Sequence, residues 1–143
     1  MKNLRNFVLL SLIFLLSHLV HSHHAFTAEF DANAPINITG KVVKVEWINP
    51  HAWVHVEVKQ DSKKTIWMVE GGTPNTLIRN GLTKNSVKPG TVINVRGYQS
   101  KGKLCLPRCI ANGRDITFPD GRKVFMGSSG TGAPRDGSDP RER

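Results

Sequence analysis

Hydrophobic and polar residues alternate with a period of two along much of the chain from Ile36 onwards, and turn residues separate the alternating segments. This pattern is typical of short β-strands and predicts an all-β domain. After a turn at Asn49 and Pro50, one face of a strand carries only small apolar side chains: Ala52, Val54, Val56 and Val58. The other face carries polar and aromatic side chains: His51, Trp53, His55 and Glu57. We expect the valine face to pack in the core.

The alternation slips by one residue in the preceding segment. Before the slip, the apolar or small positions share one parity: Ile36, Ile38, Gly40 and Val42. After it, they fall on the other parity: Val43, Val45 and Trp47. Because a shift of one residue exchanges the two faces of a strand, this pattern predicts a β-bulge near Val42. A bent first strand favours a small closed barrel.

One short helix is predicted in the middle of the domain. Thr73 is a typical N-cap, Pro74 is a typical first-turn residue, and Gly81 ends the segment. Further strands are predicted on both sides of it, at residues 65–70, 91–98, 115–118 and 123–126. Three strands, a helix and further strands is the order of the oligonucleotide/oligosaccharide-binding (OB) barrel. We predict an OB-like barrel of about five to seven strands, with the helix between strands three and four. A β-sandwich is the alternative.

The first residues have the organisation of a signal peptide. Lys2 and Arg5 precede an apolar stretch over residues 7–16. Its length fits the roughly 7–15 residues of a signal peptide and falls short of the about 20 of a bilayer span. The small residue Ser22 at the end of this region predicts cleavage before His23. An uncleaved membrane anchor is the weaker alternative.

Three regions follow from this interpretation. Residues 1–22 are the signal peptide, and residues 23–127 form a single OB-like domain with an amino-terminal arm. Residues 128–143 are rich in Gly, Ser, Pro and charge, so we expect a disordered tail. The mature chain should be periplasmic or secreted, in an oxidising compartment, with no membrane span after cleavage.

Charge narrows the classes of partner. The chain of 143 residues has a formal net charge of +9, and loss of the two basic residues of the signal peptide leaves +7. An exported basic protein meets anionic lipids, cell-wall polymers and acidic proteins rather than nucleic acid. We therefore expect a periplasmic or extracellular partner, whose identity the sequence leaves open, and no nucleic-acid partner.

Several motifs of the mature chain carry a resemblance to a known family. They are the HHAF, AEFD, WINPH, VEGGTPN and ANGR sequences, which lie at residues 23–26, 28–31, 47–51, 69–75 and 111–114. As a set they resemble the exported bacterial proteins grouped as domain of unknown function 6152. The resemblance implies export and a small β-rich domain, and it implies no activity, substrate or catalytic residue. The loop between the two cysteines departs from the family pattern.

All four histidines of the mature chain fall in two clusters, His23 with His24 at the predicted amino terminus and His51 with His55 in the second strand. An amino-terminal histidine chelates Cu(II) through its α-amine and imidazole, and nitrogen ligands in tetragonal geometry favour this ion. We expect His23 and His51 to form such a site. If cleavage leaves Ser22 first, His24 becomes the chelating residue. The alternative is a loose terminal pair and an ordinary turn histidine at position 51.

Five further residues are candidates for orienting the metal ligands or for contacting an organic ligand: Glu29, Asp31, Trp53, His55 and Glu70. Carboxylates often accept hydrogen bonds from metal-bound imidazoles, and Trp53 and His55 share the outer face of the second strand with His51. His55 lies about 13 Å from His51 along a regular strand, so it should not bind the same metal. The alternative for the carboxylates is ordinary surface exposure.

Cys105 and Cys109 are the only cysteines of the chain. Two cysteines in an exported protein usually pair, so a disulfide is predicted, with Pro107 making its loop tight. The alternative is a dithiol that holds Cu(I), since soft thiolates select that ion.

No group of residues has the spacing of a hydrolase site or a phosphate-binding loop, so no catalytic residue is assigned. The sequence favours an exported, non-enzymatic binding module with Cu(II) as its cofactor. A domain that binds carbohydrate, peptide or an anionic polymer without metal is the first alternative. A copper redox enzyme is the second.

Overall fold

The computed structural model describes residues 26–102, 105 and 107–127. In chain order they form α1 (Phe26–Glu29), β1 (Phe30–Glu46), β2 (Trp53–Gln60), β3 (Lys63–Glu70), α2 (Pro74–Arg79), β4 (Val92–Ser100), β5 (Cys109–Thr117) and β6 (Lys123–Phe125). The predicted signal peptide and tail lie outside the described residues. No helix in the described part has the length and apolar character needed to cross a bilayer.

The strands form one sheet that closes on itself. Neighbouring strands are ordered β3-β2-β1-β4-β5-β6, and a parallel pairing of β3 with β5 closes a five-stranded barrel with β6 as an extra strand. The closing pairs join residues 67–70 to residues 109–112. The helix α2 follows the third strand and precedes the fourth. The predicted all-β, OB-like barrel is confirmed.

The long strand β1 contains the expected bulge. Its register against β2 shifts between Val42 and Lys44, which leaves Val43 41% exposed while Val42 is fully buried. Just before the bulge, a Cβ at Gly40 would lie 2.4 Å from the carbonyl oxygen of Glu57, so only glycine fits there. The bulge bends β1, which pairs with both β2 and β4 as barrel closure requires.

The core of the barrel is built from the faces that the alternation predicts. The buried set combines the valine face of β2 with residues of the neighbouring strands and of α2: Val42, Ala52, Val54, Val56, Val58, Val69, Leu77, Ile93, Val95 and Ile116. Trp47 and Trp67 pack against this cluster. Each fully buried aliphatic side chain contributes about 1.5–3 kcal/mol. This core supports the strand ends and loops at which polar residues gather.

The start of α2 forms as predicted. The hydroxyl oxygen of Thr73 accepts a hydrogen bond from the backbone N–H of Thr76 at 3.2 Å, and Pro74 occupies the first turn. Leu77 is fully buried in the core. The helix is therefore anchored to the barrel by its apolar side, and Gly81, with a φ of 86°, allows the chain to turn after it.

Three features differ from the sequence prediction. β1 starts at Phe30, earlier than predicted, and the one-turn helix α1 precedes it. β5 starts at Cys109, whereas the alternation predicts a strand only at residues 115–118. The alternation does not predict the first half of this strand, because polar residues occupy two of its buried positions, Asn112 and Arg114. A polar residue at a buried position breaks the period on which the prediction depends.

Candidate functional site

A cleft of about 260 Å³ opens where the amino-terminal arm meets the loop between β1 and β2. We call it the His51 cleft. Its lining residues come from α1, β1, this loop, β2, β3 and β5: Phe26, Glu29, Phe30, 48–51, Trp53, Glu70 and Asn112. The cleft therefore brings together four of the predicted candidates: Glu29, His51, Trp53 and Glu70.

Aromatic contacts hold the arm against the barrel at the edge of this cleft. Phe26 is 2% exposed, and its ring stacks on Phe30 with 5.7 Å between centroids and meets Tyr98 edge-on at 5.3 Å. The backbone N–H of Lys101 also donates to the carbonyl oxygen of Glu29 at 2.8 Å. Phe26, the first residue that the structure describes, is therefore fixed at the edge of the cleft.

Backbone pairing places His51 beside the end of β3. Beyond the ladder of β2 with β3, the N–H of Ala52 donates to the carbonyl oxygen of Gly72 at 3.1 Å. The N–H of Gly71 donates back to the carbonyl oxygen of Ala52 at 2.8 Å. The imidazole Nδ1 of His51 then lies 3.2 Å from the carbonyl oxygen of Gly71 and 3.5 Å from Oε1 of Glu70.

These contacts determine which ring nitrogen of His51 carries the proton. A backbone carbonyl oxygen only accepts hydrogen bonds, so Nδ1 donates to Gly71, and the carboxylate of Glu70 favours the same tautomer. In the neutral ring the lone pair is then on Nε2. The described part of the chain makes no hydrogen bond to Nε2, and the side chain is 31% exposed. Nε2 is therefore open to a ligand.

A row of cross-strand neighbours forms one wall of the cleft. Trp53 on β2 pairs with Glu70 on β3, and Glu70 pairs with Asn112 on β5. Paired residues share one face of a sheet, so the indole, the carboxylate and the amide lie side by side. Asn112 is not among the residues that the sequence suggests. In OB barrels this face and the loop between strands one and two bind ligands.

A comparison with protein families places this chain in one of them. The model of a family of unknown function, DUF6152, matches residues 12–105. The chain belongs to DUF6152. No curated protein matches it. The DUF6152 match includes α1 and the strands through β4, whereas β5, with Asn112, and β6 lie beyond it. Membership confirms the resemblance and assigns no activity.

The Cu(II) site predicted for this DUF6152 protein lies only partly within the described residues. His51 lies within them, whereas His23 and His24 lie outside. Among the described residues, no group of three or more His, Cys, Asp or Glu side chains could hold a metal ion. A metal bound to His51 therefore needs ligands from outside this part of the DUF6152 chain.

Two predicted candidates, His55 and Asp31, do not line the His51 cleft. His55 is 2% exposed, and its Nε2 lies 3.3 Å from Oε1 of Glu46. Burial lowers the pKa of the His55 imidazole, and the charge of Glu46 opposes that shift. The hydrogen bond from Lys44 lowers the pKa of the Glu46 carboxyl group. Asp31 accepts a hydrogen bond from the backbone N–H of Asn33 at 2.9 Å.

The predicted disulfide joins Cys105 to Cys109. Cys109 begins β5 opposite Trp67 of β3, and the side-chain amide of Gln99 donates to Sγ of Cys105 at 3.6 Å. The bridge therefore fixes the chain where β5 enters the pairing that closes the DUF6152 barrel. Because both sulfurs are in the bridge, they do not form the Cu(I) dithiol that the sequence left as an alternative.

Charged residues of β4, β5 and β6 form a cluster that the hydrophobic pattern does not predict. Asp115 is 1% exposed and accepts hydrogen bonds from Nε and Nη2 of Arg96 at 3.0 and 2.6 Å. Lys123 and Arg114 lie 3.5 and 3.8 Å from the same carboxylate. The polar run NGRD inside β5 is the one signal for it in the sequence. The cluster links the three strands of this DUF6152 protein.

Proposed function

We propose that this DUF6152 protein is an exported β-barrel binding module that binds one Cu(II) ion in the His51 cleft. Nε2 of His51 is one ligand, and the α-amine and imidazole Nδ1 of His23, at the mature amino terminus, are the other two. The observation that carries this proposal is the hydrogen bond from Nδ1 of His51 to the carbonyl oxygen of Gly71. It presents Nε2 in the form that binds a metal.

The surroundings of His51 match those of metal-binding histidines. Such a histidine usually donates its second ring N–H to a backbone carbonyl or a carboxylate, which orients the ring and raises the basicity of the ligating nitrogen. Gly71 supplies the carbonyl oxygen at 3.2 Å, and Glu70 supplies a carboxylate at 3.5 Å. In this proposal the carboxylate of Glu70 helps to orient the ring of His51.

The length of the arm brings the mature amino terminus within reach of the cleft. His23 precedes Phe26 by three residues. Consecutive Cα atoms are about 3.8 Å apart, so the Cα atoms of these two residues are at most about 11 Å apart. Phe26 lines the same cleft as His51. If cleavage leaves Ser22 first, His24 becomes the third residue and supplies the imidazole of an amino-terminal chelate instead.

The charges of the cleft favour a cation. Glu29 and Glu70 contribute two carboxylates, and no lysine or arginine is among the described residues that line it. Nitrogen ligands in tetragonal geometry favour Cu(II), which has the highest affinity of the first-row divalent ions. The cleft thus combines an attractive field with the ligand type that selects copper.

A second candidate is a metal-free site for a carbohydrate or a peptide. The observation in its favour is the indole of Trp53, which lines the cleft on the face that OB barrels use for oligosaccharides. An anionic polymer is disfavoured at this position because Glu29 and Glu70 would repel it. Retained carbohydrate or peptide binding after removal of all metal would favour this candidate over the copper site.

Export determines which residue is first, so it is tested separately. Mass spectrometry of the secreted protein should find His23 at the amino terminus, because Ser22 supplies the small residue before the cut. An intact Met1 in a membrane fraction would contradict export and remove one copper ligand.

Titration of the mature protein with Cu(II), followed by electron paramagnetic resonance, tests the metal site. We expect one tightly bound ion with nitrogen-rich tetragonal coordination. His51→Gln should weaken binding by about tenfold or more. His55→Gln also removes one imidazole and should leave binding unchanged, because His55 lies beside Glu46. A glycine added before His23 makes His24 the third residue and should replace the His51 site by an amino-terminal chelate, so Cu(II) binding to that protein should not depend on His51. Equal binding by the mature protein and its His51→Gln variant would contradict the proposal.

A further inference from the structure

We propose that the Cys105–Cys109 bridge is a site of thiol–disulfide exchange, which passes its disulfide to a partner peptide or protein that carries two cysteines. This activity goes beyond copper binding and requires neither the metal nor the amino-terminal histidines. Three features of the bridge support it: the unequal exposure of its two cysteines, a hydrogen-bond donor beside one of the sulfurs, and the short loop that it closes.

The two cysteines differ in their exposure to solvent. Cys105 is partly exposed and begins a loop in which Pro107 and Arg108 are exposed. Cys109 is 2% exposed and is fixed by its pairing with Trp67 of β3. An incoming thiolate therefore reaches the sulfur of Cys105 and not that of Cys109. The positive charge of Arg108, next to Cys109 in the chain, attracts such an anion.

The side-chain amide of Gln99 stabilises one product of the exchange. Its N–H donates to Sγ of Cys105 at 3.6 Å. A disulfide sulfur is a weak acceptor, whereas a thiolate is charged, so this hydrogen bond becomes stronger when Cys105 is released. Gln99 pairs with Ala111 across β4 and β5, so the barrel holds the donor in place. A stabilised thiolate makes the bridge a better oxidant.

The loop that the bridge closes is short. The two cysteines have a sequence separation of 4, and closing so short a loop restricts the unfolded chain little. The bridge and the fold therefore stabilise each other only weakly. The pairing that closes the barrel joins residues 67–70 to residues 109–112 through the backbone, so it does not depend on the sulfur atoms. Opening the bridge thus leaves the barrel in place, as an exchange reaction requires.

The exchange proceeds in two displacements at sulfur. The thiolate of one partner cysteine attacks Sγ of Cys105, the bond to Cys109 breaks, and Cys109 leaves with the electron pair and takes up a proton. The second partner thiolate then attacks the partner sulfur of this mixed disulfide, and Cys105 leaves as a thiolate beside Gln99. The partner loses two electrons and two protons and gains a disulfide, and the bridge becomes two thiols.

The reaction is tested with the mature protein, treated with a chelator, and a reduced peptide that carries two cysteines. It is run at about pH 7, quenched with acid and followed by mass spectrometry. We expect one peptide disulfide for each Cys105–Cys109 bridge lost. The folded protein should react at least about tenfold faster than the protein unfolded in urea, whereas a purely structural bridge reacts faster once unfolding exposes it. No reaction of the folded protein, or a faster reaction of the unfolded protein, would overturn the proposal.

Two single variants identify the sulfur that is attacked. Cys109→Ser leaves Cys105 as the free thiol, and Cys105→Ser leaves Cys109. Each variant is mixed with the oxidised peptide. Cys109→Ser should form a mixed disulfide at least about tenfold faster than Cys105→Ser, because Cys109 is buried. Equal rates would overturn the assignment of Cys105.

Gln99→Leu tests the hydrogen bond to Cys105 without a change at either sulfur. In a glutathione redox buffer, the ratio of dithiol to bridged protein measures how far the fold favours the reduced form. Gln99→Leu should shift this ratio toward the bridge by about fivefold. Asn94→Leu removes an amide on the same strand, which bonds to Asn37 and Thr39, and should leave the ratio unchanged. A shift of equal size in both variants, or none in Gln99→Leu, would overturn the role of Gln99.

Discussion

Nδ1 of His51 lies 3.2 Å from the carbonyl oxygen of Gly71. The proton of an imidazole on the loop before β2 is thus positioned by the backbone that follows β3. Gly71 is held in turn by its own N–H, which donates to the carbonyl oxygen of Ala52 at 2.8 Å. Ala52 is the residue that follows His51 in the chain. The same strand pair therefore carries the ring and the acceptor that orients it. Nε2 of His51 is therefore held in a fixed orientation in the protein itself.

Glu70→Gln should lower the affinity for Cu(II) by about 10–100-fold. The carboxylate lies 3.5 Å from Nδ1 of His51, and a neutral amide lacks the charge with which it orients the ring. Competition with a chelator of known affinity measures the change. Glu57→Gln is the matched control, because Glu57 pairs with the exposed Lys64 and does not line the cleft. Equal losses in both variants would indicate only a general effect of charge.

Phe26→Ala should weaken both the fold and Cu(II) binding, because this ring holds the arm against Tyr98. We expect the free energy of unfolding to fall by about 3–5 kcal/mol. Phe118→Ala is the matched control, since Phe118 is also buried but lies after β5, where its ring contacts Arg122. It should lose stability and keep its copper affinity. Unchanged copper affinity in Phe26→Ala would mean that the arm does not position the amino terminus.

Acid should destabilise the protein through His55. Burial lowers the pKa of this imidazole in the folded state from the ordinary value of 6.5. Below about pH 7 the unfolded chain therefore takes up a proton that the folded chain resists. The free energy of unfolding should fall as the pH drops through 6.5 and should stop falling below the folded-state pKa of His55. Urea unfolding between about pH 7.5 and about pH 5 measures this loss.

Three variants assign that loss to His55. His55→Gln should lose less stability over the same range, because it has no imidazole to protonate. His51→Gln removes a histidine whose side chain is 31% exposed. It should lose as much stability on acidification as the unmodified protein. Glu46→Gln should deepen it, since the charge of Glu46 opposes the effect of burial on the pKa of His55. An unchanged loss in His55→Gln would show that another group is responsible.

Removal of the disulfide should have a modest effect on stability. The bridged residues have a sequence separation of 4, and the loop-entropy model gives about 2 kcal/mol for so short a loop. The double change Cys105→Ser and Cys109→Ser should lower the free energy of unfolding by about that amount in urea. Non-reducing peptide mapping of the unmodified protein should recover Cys105 linked to Cys109. Two free thiols, or a link between chains, would contradict the bridge.

The barrel was predictable wherever burial follows the alternation. On β2 the valines are buried, and on β1 the slip near Val42 coincides with the observed shift in register. The first half of β5 was not predictable, because Asn112 and Arg114 occupy buried positions. The burial of His55 was also missed, since alternation places it outside the core and does not show its contact with Glu46 from the neighbouring strand.

The candidate site was predictable as residue types but not as an arrangement. His51, Trp53 and Glu70 stand out because each is polar or aromatic at the end of a strand. Their meeting with Asn112 depends on the parallel pairing of β3 with β5, which joins segments that are distant in sequence. Nothing local in the chain specifies that pairing, so Asn112 was recognised only in the folded barrel.

Crystals of the mature protein loaded with Cu(II), with diffraction measured at the copper absorption edge, test the central proposal most directly. We predict one anomalous peak in the His51 cleft, bonded to Nε2 of His51 and to nitrogen atoms of the amino-terminal residue. Nδ1 of His51 should still donate to the carbonyl oxygen of Gly71. A copper peak at Nδ1 of His51, a peak at a site away from His51, or the absence of an ordered peak would contradict the proposal.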